Sequence, residues 1–406
     1  MRLLFLGINY APEEIGIGPY SAGLLQSWVA EGNEADAVVG QPYYPQWHVL
    51  ADYRGGWRRS EEDGVQLVRC PLYVPKRPTG MRRILHHLSF AAASLAPMLR
   101  RSSRRPELVM TVAPSLIAAP VALLAARLAG AKAWLHVQDF ELEAAQATGL
   151  VSNGFFGRLA AAFERRVLRS FDRVSTISPQ MCARLIAKGV EPERVIELRN
   201  WAEVDAIRPL TGPSPYRAEW GLAAPHIALY SGNIANKQGI EIVLEAARLL
   251  AHRKDIAFVI CGEGPNRANL ERLADGLPNV TLHDLQPRER LSELLGLPSV
   301  HLLPQLAGAA DLVLPSKLAN MLASGRPVVA TAAPGTGIAD EVAVCGVAVA
   351  PGDAWGVAVA TETLIDDEPR RRALGKAARE RAEQRWSRGA ILSRFVDQAD
   401  DFISNR

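Results

Sequence analysis

The sequence predicts an α/β fold with two doubly wound parallel sheets, each covered by helices on both faces. Short apolar runs alternate with helical patterns along the chain, which is typical of βαβ units. At 406 residues the chain is too long for one ordinary core. Each half also opens with an apolar run that ends in glycine and leads through a loop into a helix. Two Rossmann-like domains are therefore predicted.

The boundary between the domains is predicted at a turn-rich segment, RPLTGPSPYRAEWG (208–221). The N-terminal domain would span residues 1–207, and the C-terminal domain would span 208–385. The last segment, 386–406, is predicted to be a helix that crosses back to the N-terminal domain. We expect the two domains to face each other across a central cleft.

Strands are predicted wherever a short apolar run stands between turn signals. In the first half they cover residues 2–8, 34–40, 65–70, 108–112, 133–139 and 173–178. In the second half they cover residues 226–232, 256–262, 280–284, 300–304, 311–315 and 326–331. Ligands of open parallel sheets bind at the carboxyl ends of the strands, so the loops after these runs are the candidate sites.

Composition argues against several classes of protein. The charged fraction is 22% and the net charge only +3, which suits a soluble globular protein and disfavours nucleic acid as a partner. The four cysteines lie far apart without a CxxC pair, which favours free thiols over a zinc site. Arg127 interrupts the longest apolar stretch, 107–135, so no membrane-spanning helix is predicted. The first residues are predicted to form a strand rather than a secretion signal, and a cytoplasmic location is expected.

Two glycine-bearing loops in the second half are candidate anion sites. Gly232 follows a strand, and Lys237 stands in the loop before the next helix. Gly262, Glu263 and Gly264 repeat this layout after the following strand. Helix N-termini offer free N–H groups and a positive dipole end, so both loops suit a phosphate. The alternatives are plain turn glycines and a solvated lysine.

The segment PSKLANMLASGRPVVAT (315–331) supplies a third candidate loop. Ser316 is a candidate N-cap, which would leave the amides of Lys317 and Leu318 free. A cation in the first turn of a helix is unfavourable unless an anion binds there, so Lys317 indicates a diphosphate site. The alternative for Lys317 is a side chain bent into water. The loop after the next strand adds two candidates, Gly335 and Thr336.

Two segments of the first half carry candidate site residues. The loop APEEIGIGPYSAGLL (11–25) contains Gly16 and Gly18, which allow a ligand to approach the backbone closely. A plain strand-to-helix connection is the alternative there. The segment HVQDFE supplies two candidate catalytic residues, His136 and Asp139, and two candidate ligand-binding residues, Gln138 and Glu141. A structural histidine is the alternative for His136.

Residues 76–105 hold eight Lys/Arg, two His and no acidic residue. Apolar side chains recur there at helical spacing, at Ile84, Leu88, Ala91, Leu95 and Met98, and Pro97 is expected to kink the helix. An apolar stripe with basic ends is typical of a helix that lies on an anionic membrane surface. Four arginines are predicted to contact that surface: Arg82, Arg83, Arg100 and Arg101. A core helix with charged ends is the alternative.

Five segments together resemble one known family: GINYAPEEIGIGPYSAGL, QPYYPQWHV, WLHVQDFELEAA, SGNIANKQGIEIVLEAA and PSKLANMLASGRPVVAT. The chain resembles the retaining, nucleotide-sugar-dependent glycosyltransferases of the large family-4 group, which have the GT-B fold. Within that group it is most similar to the colanic-acid-type exopolysaccharide enzymes. The resemblance extends from the first strand to past residue 330.

The resemblance implies transfer of a hexose, such as fucose from GDP-fucose or another deoxy or amino sugar, to a polyprenyl-linked saccharide. The N-terminal domain would bind this acceptor, with Gln138 and Glu141 as candidate ligands, and the C-terminal domain would bind the nucleotide sugar. The acceptor hydroxyl would attack from the face that the leaving group occupies, and the departing phosphate oxygen would take its proton. Preorganised amides and lysines at that phosphate would supply the main catalytic effect. No cofactor is expected beyond the GDP- or UDP-linked co-substrate. No metal is expected either, because the chain has no Asp-x-Asp triad.

The chain departs from the family pattern at four positions. Asn233 and Gln238 stand where the wider family has an arginine and a lysine, and Leu312 and Asn320 correspond to its paired glutamates. Asn233 and Asn320 are therefore candidate ligands of the nucleotide-sugar donor, with Asn320 a weaker substitute for a ribose-binding carboxylate. Two other functions stay open: a nucleotide-sugar 2-epimerase of the same fold, and a non-catalytic nucleotide-sugar-binding subunit.

Overall fold

The structure is a computed structural model that describes residues 1–14, 16–76, 80–140, 154–202, 204–234, 238–306 and 316–404. The chain forms two compact units. The first unit holds Met1–Asn200 and Ile391–Arg406, and the second unit holds Trp201–Ala390. Each unit contains one sheet covered by helices, which confirms the predicted class of two doubly wound α/β sheets.

The described strands of the first unit are β1 (Arg2–Gly7), β2 (Glu34–Gly40), β3 (Arg58–Glu62), β4 (Val65–Cys70), β5 (Leu108–Ala113), β6 (Lys132–Val137), β7 (Arg173–Thr176) and β8 (Val195–Glu197). They form one sheet in the order β3-β4-β2-β1-β5-β6-β7-β8. Neighbouring strands are parallel except in the β3–β4 hairpin. The strand order reverses between β1 and β5, so the topological switch point lies between their carboxyl ends.

The helices of the first unit include α1 (Gly18–Ala30), α2 (Gly80–Ser102), α3 (Ala119–Ala129), α4 (Phe155–Leu168) and α5 (Pro179–Ala187). Proline occupies the first turn of α1, α3 and α5, where the missing N–H would have had no partner. The α3 helix ends at Gly130, whose φ of 67° is the left-handed conformation common at helix ends. These proline and glycine signals explain where the helices begin and end.

The described strands of the second unit are β9 (His226–Ser231), β10 (Ile256–Cys261), β11 (Val280–His283), β12 (Val300–Leu303), β13 (Val328–Thr331) and β14 (Gly346–Val349). Its helices include α6 (Tyr216–Glu219), α7 (Glu241–Leu249), α8 (Arg267–Ala274), α9 (Leu291–Leu295), α10 (Ser316–Ala323), α11 (Gly337–Val342), α12 (Ala354–Asp366) and α13 (Glu368–Trp386). The sheet is parallel, in the order β11-β10-β9-β12-β13-β14. Its switch point lies between β9 and β12.

A last helix, α14 (Arg388–Ser404), completes the core of the first unit. The ring of Phe395 packs between Trp28 of α1 and Trp134 of β6, with centroid distances of 6.1 and 5.7 Å. Phe395 and Trp28 are fully buried. Aromatic packing of this kind stabilises the return of the chain to the unit in which it began.

The turn-rich segment 208–221 belongs to the second unit and does not separate the two units. It contains α6, and Tyr216 is fully buried in a core cluster with Leu229 of β9 and Val259 of β10. Proline and glycine mark turns, and turns occur inside a domain as well as between domains. The break between the units instead falls between Asn200 and Trp201.

Three of the described strands have no counterpart among the predicted ones: β3, β8 and β14. The β3 strand, RRSEE, is an exposed edge strand whose charged side chains give no apolar signal. The β8 strand has only three residues, and β14 is only partly buried. The strand predicted at 311–315 lies outside the described residues.

Candidate functional site

Several of the predicted nucleotide-sugar ligands lie in the loops that follow β9 and β10 of the second unit. Gly232 follows β9 directly, and Gly262, Glu263 and Gly264 follow β10. The two loops are tied together by backbone hydrogen bonds. The amide of Gly232 donates to the Cys261 carbonyl at 3.0 Å, and the amide of Ile234 donates to the Glu263 carbonyl at 2.7 Å.

These loops approach so closely that glycine is required at two positions. A Cβ atom at Gly262 would lie 1.9 Å from the carbonyl oxygen of Gly232, and one at Gly264 would lie 2.3 Å from that of Ile234. Both glycines have a φ of 154°, which side chains rarely permit. Packing of one loop on the other is therefore a sufficient reason for both glycines. Their role as phosphate ligands stays a prediction.

Lys317 lies in the first turn of α10, and its side chain extends over Gly232. A Cβ atom at Gly232 would be 3.6 Å from Lys317 Cδ. The ammonium nitrogen lies 3.2 Å from Gln238 Oε1 and 3.4 Å from the Tyr230 hydroxyl. The structure thus brings Lys317 to the glycine loop that follows β9, and does not bend it into water.

The Lys317 ammonium is poorly solvated and has only neutral partners. Burial lowers its pKa to about 8, because the charged form loses hydration. Among the residues that the structure describes, no carboxylate forms a salt bridge with it. A half-buried cation without a counter-charge is a favourable place for an anion to bind, since the anion would restore the lost stabilisation.

The remaining predicted ligands of the second unit occupy mixed environments. Leu318 is fully buried in the core, so only its backbone amide is a possible ligand. Asn320 is half-buried, and Asn233 is exposed, as are Glu263 and Gly335. Thr336 caps α11, where its hydroxyl accepts the amide of Ala339 at 3.3 Å. Lys237 and the side chain of Ser316 lie outside the described residues.

In the first unit, the loop after β1 is fixed by Glu13, a residue that is not among those predicted from the sequence. Its buried carboxylate accepts the amides of Tyr43 and Tyr44 at 2.9 and 3.0 Å, and Asn9 Nδ2 at 2.8 Å. Burial outweighs these bonds and raises the pKa of Glu13. Glu13 therefore joins the β1 loop to the loop after β2. The sequence signal that could have identified Glu13 was an acidic residue inside a glycine-bearing loop.

The glycines of this loop pack closely against Glu13 and Tyr44. A Cβ atom at Gly18 would lie 2.9 Å from Glu13 Cβ, and one at Gly16 would lie 3.1 Å from the Tyr44 ring. Gly16 also has a positive φ of 76°. Beneath the loop, the fully buried guanidinium of Arg69 donates to the Ala11 carbonyl at 2.7 Å. The arginine in the predicted strand VQLVRC, whose other residues apart from Gln66 are apolar, was a second available signal.

His136 occupies a structural position inside β6. It is 1% exposed, and its Nδ1 is 2.8 Å from the Ser175 hydroxyl, which also accepts Trp134 Nε1 at 2.7 Å. Burial lowers the pKa of His136 to about 3, so the ring is neutral. This favours the structural alternative over the predicted catalytic role.

The other predicted residues of this segment lie closer to solvent or beyond the described chain. Asp139 is exposed just after β6. Gln138 is buried, and its Oε1 accepts the Asn200 side-chain amide at 2.9 Å. Glu141 lies outside the described residues. The structure thus leaves Asp139 as the more accessible of the two predicted catalytic residues here.

Comparison with known proteins agrees with this arrangement. Residues 16–201 match the glycosyl transferase 4-like domain, and residues 225–367 match the glycosyl transferases group 1. WcaI of Escherichia coli (strain K12), which is named for colanic acid biosynthesis, is 42% identical over 82% of this chain and 83% of its own. The chain belongs to the glycosyltransferase family that these two domains define.

Solved glycosyltransferases share the fold of the whole chain. Sucrose-phosphate synthase from Thermosynechococcus elongatus aligns over 100% of both chains, with a TM-score of 0.69 at 18% identity. Anabaena HepE, in complex with UDP-glucose, aligns over 99% of this chain and 100% of its own, with a TM-score of 0.64 at 15% identity. At these identities the likeness shows the fold alone, which is GT-B.

The α2 helix of the glycosyltransferase exposes an apolar face. Its exposed fractions run from 39% at Leu95 to 76% at Met81, and the face also includes Ile84, Leu85 and Leu88. The opposite face is buried: His86, Phe90, Ser94 and Met98. Met98 was predicted on the apolar stripe, but residues spaced by three and four drift around a helix of 3.6 residues per turn, and Met98 packs into the core. The helix continues through Pro97 to Ser102.

The four arginines of this helix have unequal environments. Arg82, Arg83 and Arg100 are exposed. Arg101 is half-buried and forms an ion pair with the buried carboxylate of Asp36, so it is less available to a membrane than predicted. None of the described helices combines the length and the hydropathy of a membrane-spanning segment. Over the same residues, no group of His, Cys, Asp or Glu has the arrangement of a metal site.

Proposed function

We propose that this glycosyltransferase moves a hexose from a nucleoside diphosphate sugar to a polyprenyl-linked saccharide during exopolysaccharide biosynthesis, with retention of the anomeric configuration. The observation that carries the proposal is Lys317, a half-buried cation with neutral partners at the start of α10. The similarity to WcaI over most of both chains supports the biosynthetic role. The complex of HepE with UDP-glucose supports a nucleotide sugar as donor.

The proposed chemistry depends on stabilising the leaving group. Cleavage of the sugar–phosphate bond leaves an oxocarbenium-like sugar and places a new negative charge on the departing diphosphate. Lys317 and the free amides of the first turn of α10 receive that charge in a site that excludes part of the water. The acceptor hydroxyl attacks from the face that the diphosphate leaves, and a phosphate oxygen takes its proton. No protein carboxylate is required as a base in this scheme.

The apolar face of α2 supports a membrane-bound acceptor. Five large apolar side chains share this exposed face, and Arg82, Arg83 and Arg100 are exposed on the same helix. An exposed apolar face beside basic side chains is the pattern of a helix that lies in the interface of an anionic membrane. We therefore place the enzyme at the membrane surface, where a polyprenyl-linked acceptor would be presented.

The proposal is tested with a panel of donors and a lipid acceptor. Calorimetry with GDP-fucose, UDP-glucose and related nucleotide sugars identifies the donor, and product analysis with a polyprenyl diphosphate saccharide measures transfer. Transfer with retention, unchanged by EDTA, is the expected result. Binding without turnover on any lipid acceptor would instead indicate a non-catalytic subunit. A change of the sugar at C2 without transfer would indicate an epimerase.

A further inference from the structure

A pocket with a volume of about 370 Å³ lies at the amino edge of the sheet in the second unit. It is lined by the start of β9, by the segments that precede β12 and β13, and by the first turns of α13. Its polar lining residues include three arginines, Arg326, Arg371 and Arg372. We call this site the arginine pocket. None of its lining residues is among those predicted to bind the nucleotide sugar or the acceptor.

Arg371 is fixed in the arginine pocket by one side of its guanidinium group. Its Nη1 donates to the carbonyls of Leu364 and Ile365 near the end of α12, the first at 2.9 Å. Within the described part of the chain, its Nε and Nη2 have no hydrogen-bond partner, and the residue forms no salt bridge. These two donors share one edge of the planar group, and such an edge binds two oxygens of an anion. Arg371 therefore presents an oriented pair of donors to the pocket.

Arg326 places a second uncompensated charge beside Arg371. It is half-buried, and its Nη2 donates to the carbonyl of Gly296 at 3.1 Å. Among the described residues, its buried Nε has no partner and no carboxylate forms a salt bridge with it. Burial and the neighbouring Arg371 lower the pKa of Arg326, because the two like charges are poorly solvated there. An anion that contacts both guanidinium groups would relieve this repulsion.

The carboxylates around the arginine pocket are paired with other arginines. Glu368, the one acidic side chain among the described lining residues, pairs with Arg372 at the exposed rim. Asp255, which contributes to the electrostatic environment of His226, pairs with Arg253. Neither carboxylate is paired with the two half-buried arginines. The charge of the pocket walls is therefore positive.

Two further polar groups line the pocket without neutralising it. His226 Nδ1 lies 3.3 Å from the Ser299 hydroxyl. Burial and the nearby Arg371 lower the pKa of His226, so its ring is uncharged at neutral pH. A neutral imidazole and a hydroxyl are both hydrogen-bond donors, and they suit an anion that the arginines hold.

The arginine pocket is separate from the proposed transfer site. His226 begins β9 and Gly232 follows its end, so about 20 Å lies between them at about 3.3 Å per residue. Arg326 likewise follows the end of α10, whereas Lys317 lies in the first turn of that helix. A diphosphate bound at Lys317 therefore does not occupy the arginine pocket.

We propose that the arginine pocket binds the terminal phosphate of a small molecule, either free phosphate or a phosphorylated sugar. Arg371 donates Nε and Nη2 to two phosphate oxygens, and Arg326 and Ser299 donate to the others. Phosphate is favoured over a carboxylate because its oxygens accept from donors on several sides. The pocket would hold about twelve waters at about 30 Å³ each, so a phosphate leaves room for an organic group. This site goes beyond the proposed function and does not depend on it.

The test is a calorimetric titration of the full chain at constant ionic strength in a buffer without phosphate. Glucose 6-phosphate and sodium phosphate are the two probes, and glucose is the uncharged comparison. Titration of Lys317→Ala distinguishes binding at the nucleotide-sugar site. Arg326→Gln and Arg371→Gln each remove one charge from the pocket. Arg370→Ala is the matched control, because Arg370 is exposed on α13 and does not line the arginine pocket.

Saturable binding of a phosphate probe is expected, retained in Lys317→Ala and Arg370→Ala and weakened at least about tenfold by either pocket variant. The probe that binds more tightly identifies the source of the phosphate. Glu368→Gln should tighten binding severalfold, because it removes a repulsive charge and releases Arg372. Thermal melting shows which variants fold, and Glu368→Gln decides the outcome if neither pocket variant does.

Four results would each overturn the proposal. They are the absence of saturable binding, loss of binding in Lys317→Ala, an equal loss in Arg370→Ala and in the pocket variants, and binding of glucose as tight as that of glucose 6-phosphate. Unchanged or weaker binding in Glu368→Gln would contradict the assigned charge of the pocket and would also overturn it.

Discussion

The ammonium nitrogen of Lys317 lies 4.9 Å from the centroid of the Tyr230 ring and 3.4 Å from its hydroxyl oxygen. The pair joins α10 to β9, the strand at the switch point of the second unit. The ring attracts the cation, and burial raises the pKa of the Tyr230 hydroxyl, so this partner stays neutral. Tyr230 therefore positions the ammonium over Gly232 without neutralising it.

Lys317→Ala should weaken binding of the nucleotide-sugar donor by about 2 kcal/mol, roughly thirtyfold in Kd, because a charge-assisted contact to the diphosphate is lost. Turnover should fall as well, since the same charge stabilises the leaving group. Calorimetry and steady-state kinetics measure the two effects. Lys376→Ala is the matched control, because Lys376 is 80% exposed on α13. Wild-type kinetics in Lys317→Ala would remove this residue from the site.

Affinity for the nucleotide-sugar donor should depend on pH through Lys317. Because the pKa of Lys317 is about 8, its side chain is fully charged well below pH 8 and loses its charge as the pH rises through that value. An anion binds the charged form, so affinity should be constant at lower pH and fall by about tenfold per pH unit above the pKa. The fall should be absent in Lys317→Ala. Identical pH profiles for both proteins would contradict the assignment.

Gly262→Ala should destabilise the second unit by about 3 kcal/mol or more, because overpacking adds to an unfavourable φ. The new methyl group would lie 1.9 Å from the carbonyl oxygen of Gly232. Gly276→Ala is the control, since Gly276 also has a positive φ but nothing lies within 4 Å of its added Cβ. Strain alone should cost it about 1 kcal/mol. Urea unfolding measures the free energy of unfolding of both variants. Equal losses in the two variants would show that the contact between the loops after β9 and β10 does not contribute to stability.

Glu13→Ala should lower the free energy of unfolding by about 3 kcal/mol, because the amides of Tyr43 and Tyr44 and the Asn9 side chain lose their acceptor. Donor binding should weaken too if the glycine loop after β1 contacts the nucleotide sugar. Glu13→Gln keeps an oxygen for the two amides and should retain most of the stability. Glu14→Ala, at the exposed neighbouring position, should have little effect. Chemical denaturation of the three variants provides the comparison, and a stable Glu13→Ala protein would refute the role assigned to this carboxylate.

Leu88→Ser with Leu95→Ser should weaken binding to anionic vesicles by about 2 kcal/mol, roughly thirtyfold, since each half-exposed leucine contributes about 1 kcal/mol when inserted. The matched control is Leu124→Ser with Leu128→Ser, which changes exposed leucines on α3. Vesicle co-sedimentation measures the partition. If both double variants weaken vesicle binding equally, α2 is not the membrane-contacting helix.

The sequence predicts the buried parts of this fold well. The observed strands Glu34–Gly40 and Val65–Cys70 have the predicted bounds, because both runs are mostly buried and each lies between turn residues. The RRSEE strand was missed because an edge strand needs no apolar side chains to form its ladder. The position of Lys317 at the first turn of a helix was also predictable, since a serine and a glycine delimit that helix.

The site residues held by long-range contacts were not predictable in the same way. Glu13 accepts amides that lie thirty residues later in the chain, and no local pattern indicates that pairing. His136 illustrates the opposite problem, because a polar residue at a strand end indicates chemistry until its neighbours are known. Its partner Ser175 comes from another strand, and only the packing of β6 beside β7 shows that the imidazole is satisfied.

The return of α14 has a consequence for how the protein is made. Phe395 fills the space between Trp28 and Trp134, residues that emerge from the ribosome long before it does. During translation the first unit must therefore wait, with two tryptophans incompletely covered, until the second unit has been synthesised. A fragment that stops at Asn200 would keep this gap permanently, and we expect it to bind chaperones or aggregate.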